Sequence, residues 1–501
     1  MKKRTVLSII SLVAITMLSG TGHAATGRLT EPAREMIAQA APDEMLPVVV
    51  LMKERPDVPA MREMVRGLPR EQRKRLVWET VRDLAERTQY DLLDLLGADK
   101  RSGLVEEYTS IRIINGISLK ATAEVIERVA QRDDVGRIIA DPLQPIFNPI
   151  ESDREEELDE IVWSVQMIHA PEVWDMGYTG QGVLVAIIDS GVNYNHVDLA
   201  DHLWDGGEEF PNHGWDFGNN DNDPLDDDGH GTHVAGSICG DGTGGTQTGV
   251  APDATLMICK VSLGIGQGDQ ATVWEAHDFV LEHGADVTSM SMGYLDSWSP
   301  DRTTWRGTYE VLDAAGIVNV VAAGNERGWY QPPISCRTPG NVPSPWRHPD
   351  EVEEGGRGGV ISVGATTDQD VYASFSSNGP CEWEDVDPYY DYPYGDGHVG
   401  LIRPDIAAPG EDIYSTSING GYTYMSGTSM ATPHIAGVVC LILSKTPELL
   451  PVQVDSVMQI TALDLGPDGK DNDYGAGRVQ ADLAVEAANP PFGYLQGTVT
   501  D

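Results

Sequence analysis

The sequence predicts an α/β protein, a three-layer fold with a mostly parallel sheet between helices, preceded by a small α+β domain. Three observations predict it. From about residue 160 to 488, short apolar runs alternate with helix-forming stretches. Those runs are apolar on both faces, as strands of a parallel sheet covered on both sides must be. Residues 46–142 carry a separate set of strands and helices. Charge divides near the same boundary: residues 1–150 hold 22 basic and 21 acidic side chains, residues 151–501 only 12 basic and 57 acidic. Such an asymmetry points to two units with different roles.

In chain order, Met1-Lys-Lys-Arg4 is a basic start, Thr5 to Ser19 is apolar, and small residues follow at Gly22 and Ala24. Residues 1–24 therefore read as a secretory signal peptide, with no Cys behind the apolar run to carry a lipid. Leu46 to Met52 predicts a strand, 60–97 a helix rich in Arg and Glu, and Ser110 to Leu119 strand, turn and strand. Ala123 to Arg132 predicts an amphipathic helix and Val135 to Ala140 a closing strand. Residues 151–160 form a charged linker of the kind proteases cut. Beyond it the predicted strands are Val183–Ile188, Leu256–Val261, Val287–Ser291, Val318–Ala322 and Gly359–Val363, with helices after His230, Asp269, Thr304 and Thr428. Residues 489–501 form a tail that reads as the first strand of a β-sandwich accessory domain.

Composition excludes some functions. With 78 acidic and 34 basic side chains among 501 residues, the net charge of −44 repels phosphate backbones and argues against nucleic-acid binding. No segment after the leader reaches the ~18 uninterrupted apolar residues of a membrane helix. Five cysteines (239, 259, 336, 381 and 440) are too few for a disulfide scaffold. Cys259 and Cys440 lie in apolar runs and read as core residues; Cys336 and Cys381 lie in loop-like sequence, where a bridge is compatible with an oxidising compartment.

Four segments place polar groups at expected strand ends or helix starts. They are Val185-Ala-Ile-Ile-Asp189-Ser-Gly-Val192, Asp228-Gly-His230-Gly-Thr-His233-Val-Ala-Gly236, Val320-Val-Ala-Ala-Gly-Asn325 and Ser426-Gly-Thr-Ser429-Met-Ala-Thr-Pro-His434. In an open parallel sheet, functional groups collect at the carboxyl ends of the strands. Acyl transfer needs these residue types: a Ser hydroxyl, a neutral His to take its proton, a carboxylate to orient the His, and an amide to hold the oxyanion. Taken singly, Asp189 is also a turn cap, His230 a helix-start residue and Ser429 an N-cap.

Together these strings resemble the subtilisin-like serine proteases, the subtilases, whose Asp, His, Ser order is known. The resemblance runs from about Trp163 to Leu483, and the extended layout is similar to that of the bacillopeptidase F-like secreted subtilases. It implies that Asp189 orients, His230 is the general base, Asn325 donates to the oxyanion and Ser429 attacks. It also implies that residues 25–150, with their core at 46–142 and Asn115-Gly116-Ile117 at the turn, are an inhibitory prosegment removed at or near 151–160 to release a catalytic domain of residues 161–488. His233 and His434 are then packing residues. Val287 to Gly293 matches the family's edge strand, which pairs with extended substrate through Ser291, Met292 and Gly293. Tyr294 replaces the second Gly expected there, and the loop from Arg327 to Asp350 is unusual. Either departure bears on pocket specificity.

The resemblance further implies structural Ca²⁺, with Asp198 in a ligand position and the loop Asp241 to Gln247 beside it, and no catalytic cofactor. The acidic run Asn219 to Asp228 fails the EF-hand pattern at Leu225 and Asp226 and reads as a solvated loop. The Tyr-rich insert Cys381 to Gly400 reads as a rim over the cleft or a loop without a role. The functional expectation is a secreted, monomeric serine endopeptidase that acts on polypeptides, is held inactive by its own prosegment and has no membrane anchor. The alternatives are a processing protease for cationic precursors, motivated by the acidic half, and a silent binding module on the same fold.

Overall fold

The computed structural model describes residues 27–147, 150–151, 160–262 and 266–489. The signal segment 1–24, most of the acidic linker 151–160 and the tail from 490 lie outside the described residues.

The N-terminal unit runs α1 (Glu31–Gln39), β1 (Leu46–Met52), α2 (Val58–Met64), α3 (Arg70–Arg101), β2 (Val105–Ile111), β3 (Gly116–Ala121), α4 (Ala123–Ala130) and β4 (Val135–Ala140). Its sheet is antiparallel in the order β2-β3-β1-β4. The helix expected over 60–97 is two helices, because Gly67 adopts φ +74° and Pro69 follows, which together end one helix and start the next. Successive β1 residues face opposite ways. Val48, Val50 and Met52 meet Leu92 and Leu96 of α3 in the unit's own core. Val49 and Leu51 face the larger body.

The chain then passes through β5 (Gln144–Pro145) and β6 (Ile150–Glu151) into the larger body. This contains α5 (Trp163–Met167), α6 (Ala170–Asp175), β7 (Leu184–Asp189), β8 (Gly214–Asp216), α7 (His230–Cys239), β9 (Thr255–Lys260), β10 (Gln267–Gly268) and α8 (Gln270–Glu282). After these come β11 (Val287–Met290), α9 (Arg302–Ala315), β12 (Val318–Ala322) and β13 (Val360–Thr366), then the hairpin of β14 (Tyr394–Gly395) and β15 (His398–Val399). The body ends with β16 (Ile406–Pro409), β17 (Ile413–Thr416), β18 (Tyr422–Ser426), α10 (Thr428–Lys445), α11 (Pro451–Ile460) and α12 (Ala481–Ala487).

Seven strands form one parallel sheet in the order β16-β13-β12-β11-β7-β9-β8. Along β7, Val185 and Ile187 enter a core shared with α7 and α10, whereas Ala186 and Ile188 enter one shared with α8 and α9. This is the expected α/β layering, helices on both faces of a buried sheet. The second core also takes Val77, Trp78 and Val81 of α3, so the N-terminal unit lies against α8 and α9.

Polar groups fix that junction. Asp278 of α8 accepts from the backbone N–H groups of Arg112 and Ile113, both at 2.6 Å. In return, Asp141 accepts from Gln270 N and Ala271 N at the start of α8, both at 2.9 Å. Arg62 pairs with Asp313 at 2.9 Å, and Lys74 with Asp286.

Candidate active site

β7 ends on Asp189 and α7 starts on His230. Both are fully buried, and His230 Nδ1 donates to Asp189 Oδ1 at 2.7 Å. Ser190 N donates to the same oxygen at 2.8 Å. Burial pushes the Asp189 carboxyl above its ordinary value against the pull of His230. Burial pushes the imidazole down, but the charges of Asp189, Asp228 and Asp226 outweigh it and hold His230 above its usual value. The Nδ1 contact leaves Nε2 as the basic nitrogen, and Nε2 has no hydrogen-bond partner among the described residues.

Asp226 holds this corner together. One of its oxygens accepts from Ser190 Oγ at 2.9 Å and from the N–H groups of Asp228 and Gly229 at 3.0 Å. The other accepts from Thr232 N at 2.9 Å and Thr232 Oγ1 at 2.5 Å. It thus caps the helix that carries His230 and ties it to the residue beside Asp189. Sequence reasoning missed it, because it lies in an acidic run that reads as solvated surface.

Ser429 is the second residue of α10, where backbone N–H groups lack intrahelical acceptors. Its hydroxyl donates to Ser291 O at 2.9 Å, and Ser291 Oγ donates to Ser429 O at 2.8 Å. No hydrogen bond between Ser429 and His230 occurs among the described residues. Asn325, just past β12, accepts through its side-chain oxygen from Thr428 N at 2.9 Å and Thr428 Oγ1 at 3.0 Å. Those two bonds fix the amide plane and turn its NH₂ end the opposite way. Ser291, Met292, Asn325, Thr428 and Ser429 line one small cavity.

The protein's own chain crosses this site. Gln144 and Pro145 pair antiparallel with Gly268 and Gln267, and Ile146 N donates to Gly266 O at 2.9 Å. The Phe147 ring lies 5.0 Å from the His230 ring, centroid to centroid. Ile150 and Glu151 then pair antiparallel with Ser426 and Met425, just ahead of Ser429. The segment is held by strand pairing on both sides of the Ser429 neighbourhood, as an extended peptide substrate would be.

His233 and His434 are both buried and tied to backbone. His233 Nε2 lies 3.0 Å from Ile413 O, and burial lowers its pKa to about 3. His434 Nδ1 lies 2.7 Å from Met430 O, and burial lowers its pKa to about 4. The expectation of an edge strand at Val287 needs correction: β11 lies mid-sheet between β12 and β7, and the described edges are β16 and β8. Only its extension, Ser291 to Gly293, leaves the sheet at the cleft. Tyr294 is buried, and its hydroxyl donates to Asp269 O at 2.6 Å. The 381–400 insert packs on α9, with Asp391 accepting from both Arg306 Nη atoms at 2.9 Å, and none of its residues lines the Ser429 cavity. Cys336 and Cys381 are buried, unbridged thiols in hydrogen-bonding contact.

Asp198, the expected calcium ligand, is hydrogen-bonded within the protein. Its two oxygens accept from Gly244 N at 2.5 Å and Tyr422 Oη at 2.7 Å, which leaves a lone pair on each. Asp241 accepts from Thr243 N and Oγ1 at 2.9 and 2.7 Å. Asp201, His202 and Asp241 are the one group of metal-ligating side chains gathered among the described residues, and an imidazole is a poor match for a hard cation.

Comparison with known proteins matches residues 180–477 to the subtilase family, peptidase S8. Bacillopeptidase F of Bacillus subtilis (strain 168) is 30% identical over 465 residues, covering 86% of this chain and 30% of that protein. Subtilisin E of the same organism is 33% identical over 334 residues, 66% of this chain and 73% of that protein. Alkaline elastase YaB of Bacillus sp. (strain YaB) is 30% identical over 348 residues, 68% and 75% respectively. The chain therefore spans less than a third of the length of Bacillopeptidase F but about three quarters of Subtilisin E. On the extent of the matched region and these identities, the chain belongs to the subtilase family of serine proteases.

Proposed function

We propose that the chain is a secreted serine endopeptidase, made as a zymogen that processes itself, which hydrolyses peptide bonds through an acyl-enzyme on Ser429. In this reading His230 takes the Ser429 proton at Nε2 and later returns it to the leaving amine, while Asp189 holds the imidazole by its Nδ1–H. Asn325 and the Ser429 N–H at the helix start receive the oxyanion. Residues 25–150 act as the prosegment. The observation that carries the reading is the segment 144–151, paired on both sides of the site with Phe147 on His230.

Polypeptides are the substrates, the prosegment is an intramolecular inhibitor, and one copy of the chain suffices. Export rests on Met1 to Ala24, and no helix among the described residues is long and apolar enough to cross a membrane. Calcium enters only as a structural ion, with no catalytic part and with Asp198 as its expected ligand. The excess of 57 acidic over 12 basic side chains in residues 151–501 favours a second reading, a processing protease drawn to cationic precursors. That preference would weaken with added salt, because exposed charges are screened.

The test is expression of the full chain beside Ser429→Ala, read by intact mass and casein hydrolysis. Wild type is expected to lose its N-terminal unit and degrade casein, and the variant to do neither. A wild type that stays full length and inert in Ca²⁺ would favour the silent binding module.

A further inference from the structure

The cavity beside Ser429 contains a charged side chain that no motif announced. Arg337, in the unusual 327–350 loop, reaches it with a side chain only 8% exposed. Its Nε and Nη2 donate to Glu326 Oε1 at 3.0 and 2.7 Å, and Nη1 donates to Gly293 O at 2.9 Å and Ile146 O at 3.0 Å. Glu326 is fixed in turn, its second oxygen accepting from Asn325 N at 2.7 Å. The guanidinium therefore joins the Asn325 loop, the Ser291–Gly293 extension and the bound segment. Gly324 lines the same wall, where a Cβ would lie 2.6 Å from Glu326 Oε2 and 3.1 Å from Arg337 Cγ. Between these groups and Ile146 about 10 Å³ remains. That is room for about one water.

We infer that Arg337 sets the substrate preference of this site: its side chain closes the pocket beside Ser429, so the residue on the amino side of the scissile bond must be small and uncharged, and its Nη1 binds a substrate carbonyl where Ile146 O now sits. The inference rests on the protease reading above. The amino side is assigned because Ile146, in the N-terminal half of the bound segment, lines the pocket together with Ser291 and Met292. When that segment leaves, Nη1 keeps Gly293 O and loses one acceptor. A buried donor without a partner is costly, so a peptide carbonyl at that place is favoured. A Phe or Tyr side chain would have to displace a guanidinium held by three hydrogen bonds to Glu326 and Gly293. A Lys or Arg side chain would meet a positive group whose carboxylate partner is already engaged.

The test uses mature wild-type enzyme and peptides that differ only at the residue before the cleaved bond: Ala, Leu, Phe, Lys and Glu. Wild type is expected to show kcat/KM for Ala at least roughly tenfold above Phe and Lys, the range that pocket fit commands. Arg337→Ala, which opens the pocket, is expected to raise Phe relative to Ala by a similar factor. Because that change strands the Glu326 carboxylate, the pair Arg337→Ala with Glu326→Gln serves if the single variant fails to fold. A wild type that cleaves casein yet takes Phe as readily as Ala overturns the inference, as does an unchanged ratio in the opened variants. Failure on casein and on every peptide would instead fell the protease reading and this inference with it.

Discussion

The two units of this molecule hold themselves together differently. The large body closes a sheet between two helical layers, and strand residues such as Val185, Ile187 and Ile188 are fully buried against its own helices. Each such side chain contributes about 1.5–3 kcal/mol through burial. The N-terminal unit has a smaller core of its own and meets the body at a junction where apolar contacts from α3 are mixed with reciprocal carboxylate caps and ion pairs. The body closes its core on its own helices, and the N-terminal unit closes part of its core against the body. Between them, residues 144–145 and 150–151 pair with strands on either side of the Ser429 neighbourhood.

The largest expected effect breaks the chemistry and leaves the junction intact. Ser429→Ala or His230→Ala should lower kcat on the order of 10⁶-fold in a casein or peptide assay, a figure taken from a subtilisin and so from this chain's own family. Asn325→Ala should cost about 10²–10³ in kcat with little change in KM, again a value established in a subtilisin. Neither change should loosen the N-terminal unit.

Breaking the junction should do the reverse. Asp278→Ala removes an acceptor from two backbone N–H groups of the N-terminal unit, each charge-assisted bond being worth about 1.5–3 kcal/mol. The expected result is a shorter lag before casein activity appears, with the final rate unchanged. Burial raises the Asp278 carboxyl to about 6, and burial raises Asp141 as well. The bound state thus keeps protons that the separated carboxyls release near pH 4, so retention should weaken as pH rises from about 4 through 6. A lag that shortens toward acid would contradict this.

The smallest effect is a displacement of the pH–rate profile. His230 acts as a base only when neutral, and its pKa is raised above the ordinary 6.5. Activity of the mature enzyme should therefore climb along a limb centred above pH 6.5. Removing Phe147 relieves burial, which pushes the imidazole down, so the limb should not move lower.

The body's candidate site was legible in the sequence because its parts are local strings. A strand ending on Asp189, a helix opening on His230 and a Gly turn delivering Ser429 each announce themselves within ten residues. The short strands were not legible: Gly214–Asp216 and Ile406–Pro409 are too brief, and too broken by Gly and Pro, to show a period. The mid-sheet place of Val287–Met290 depends on neighbours far along the chain. Arg337 and Phe147 matter through partners distant in sequence, and Asp226 joins its own loop and helix start to the distant Ser190 while hidden among nine residues of acidic and Asn-rich loop. Tertiary contact, not local pattern, gives them their roles.

The measurement that tests the central claim most directly is the N-terminal sequence of the processed wild-type chain. Strand pairing ends at Ile146 on one side of Ser429 and resumes at Ile150 on the other, so the new N-terminus should fall at one of residues 149–151, at the end of the prosegment and with Phe147 not the residue before the cut. A first cut within the 152–159 stretch, or no cut by Ser429 at all, would contradict the account.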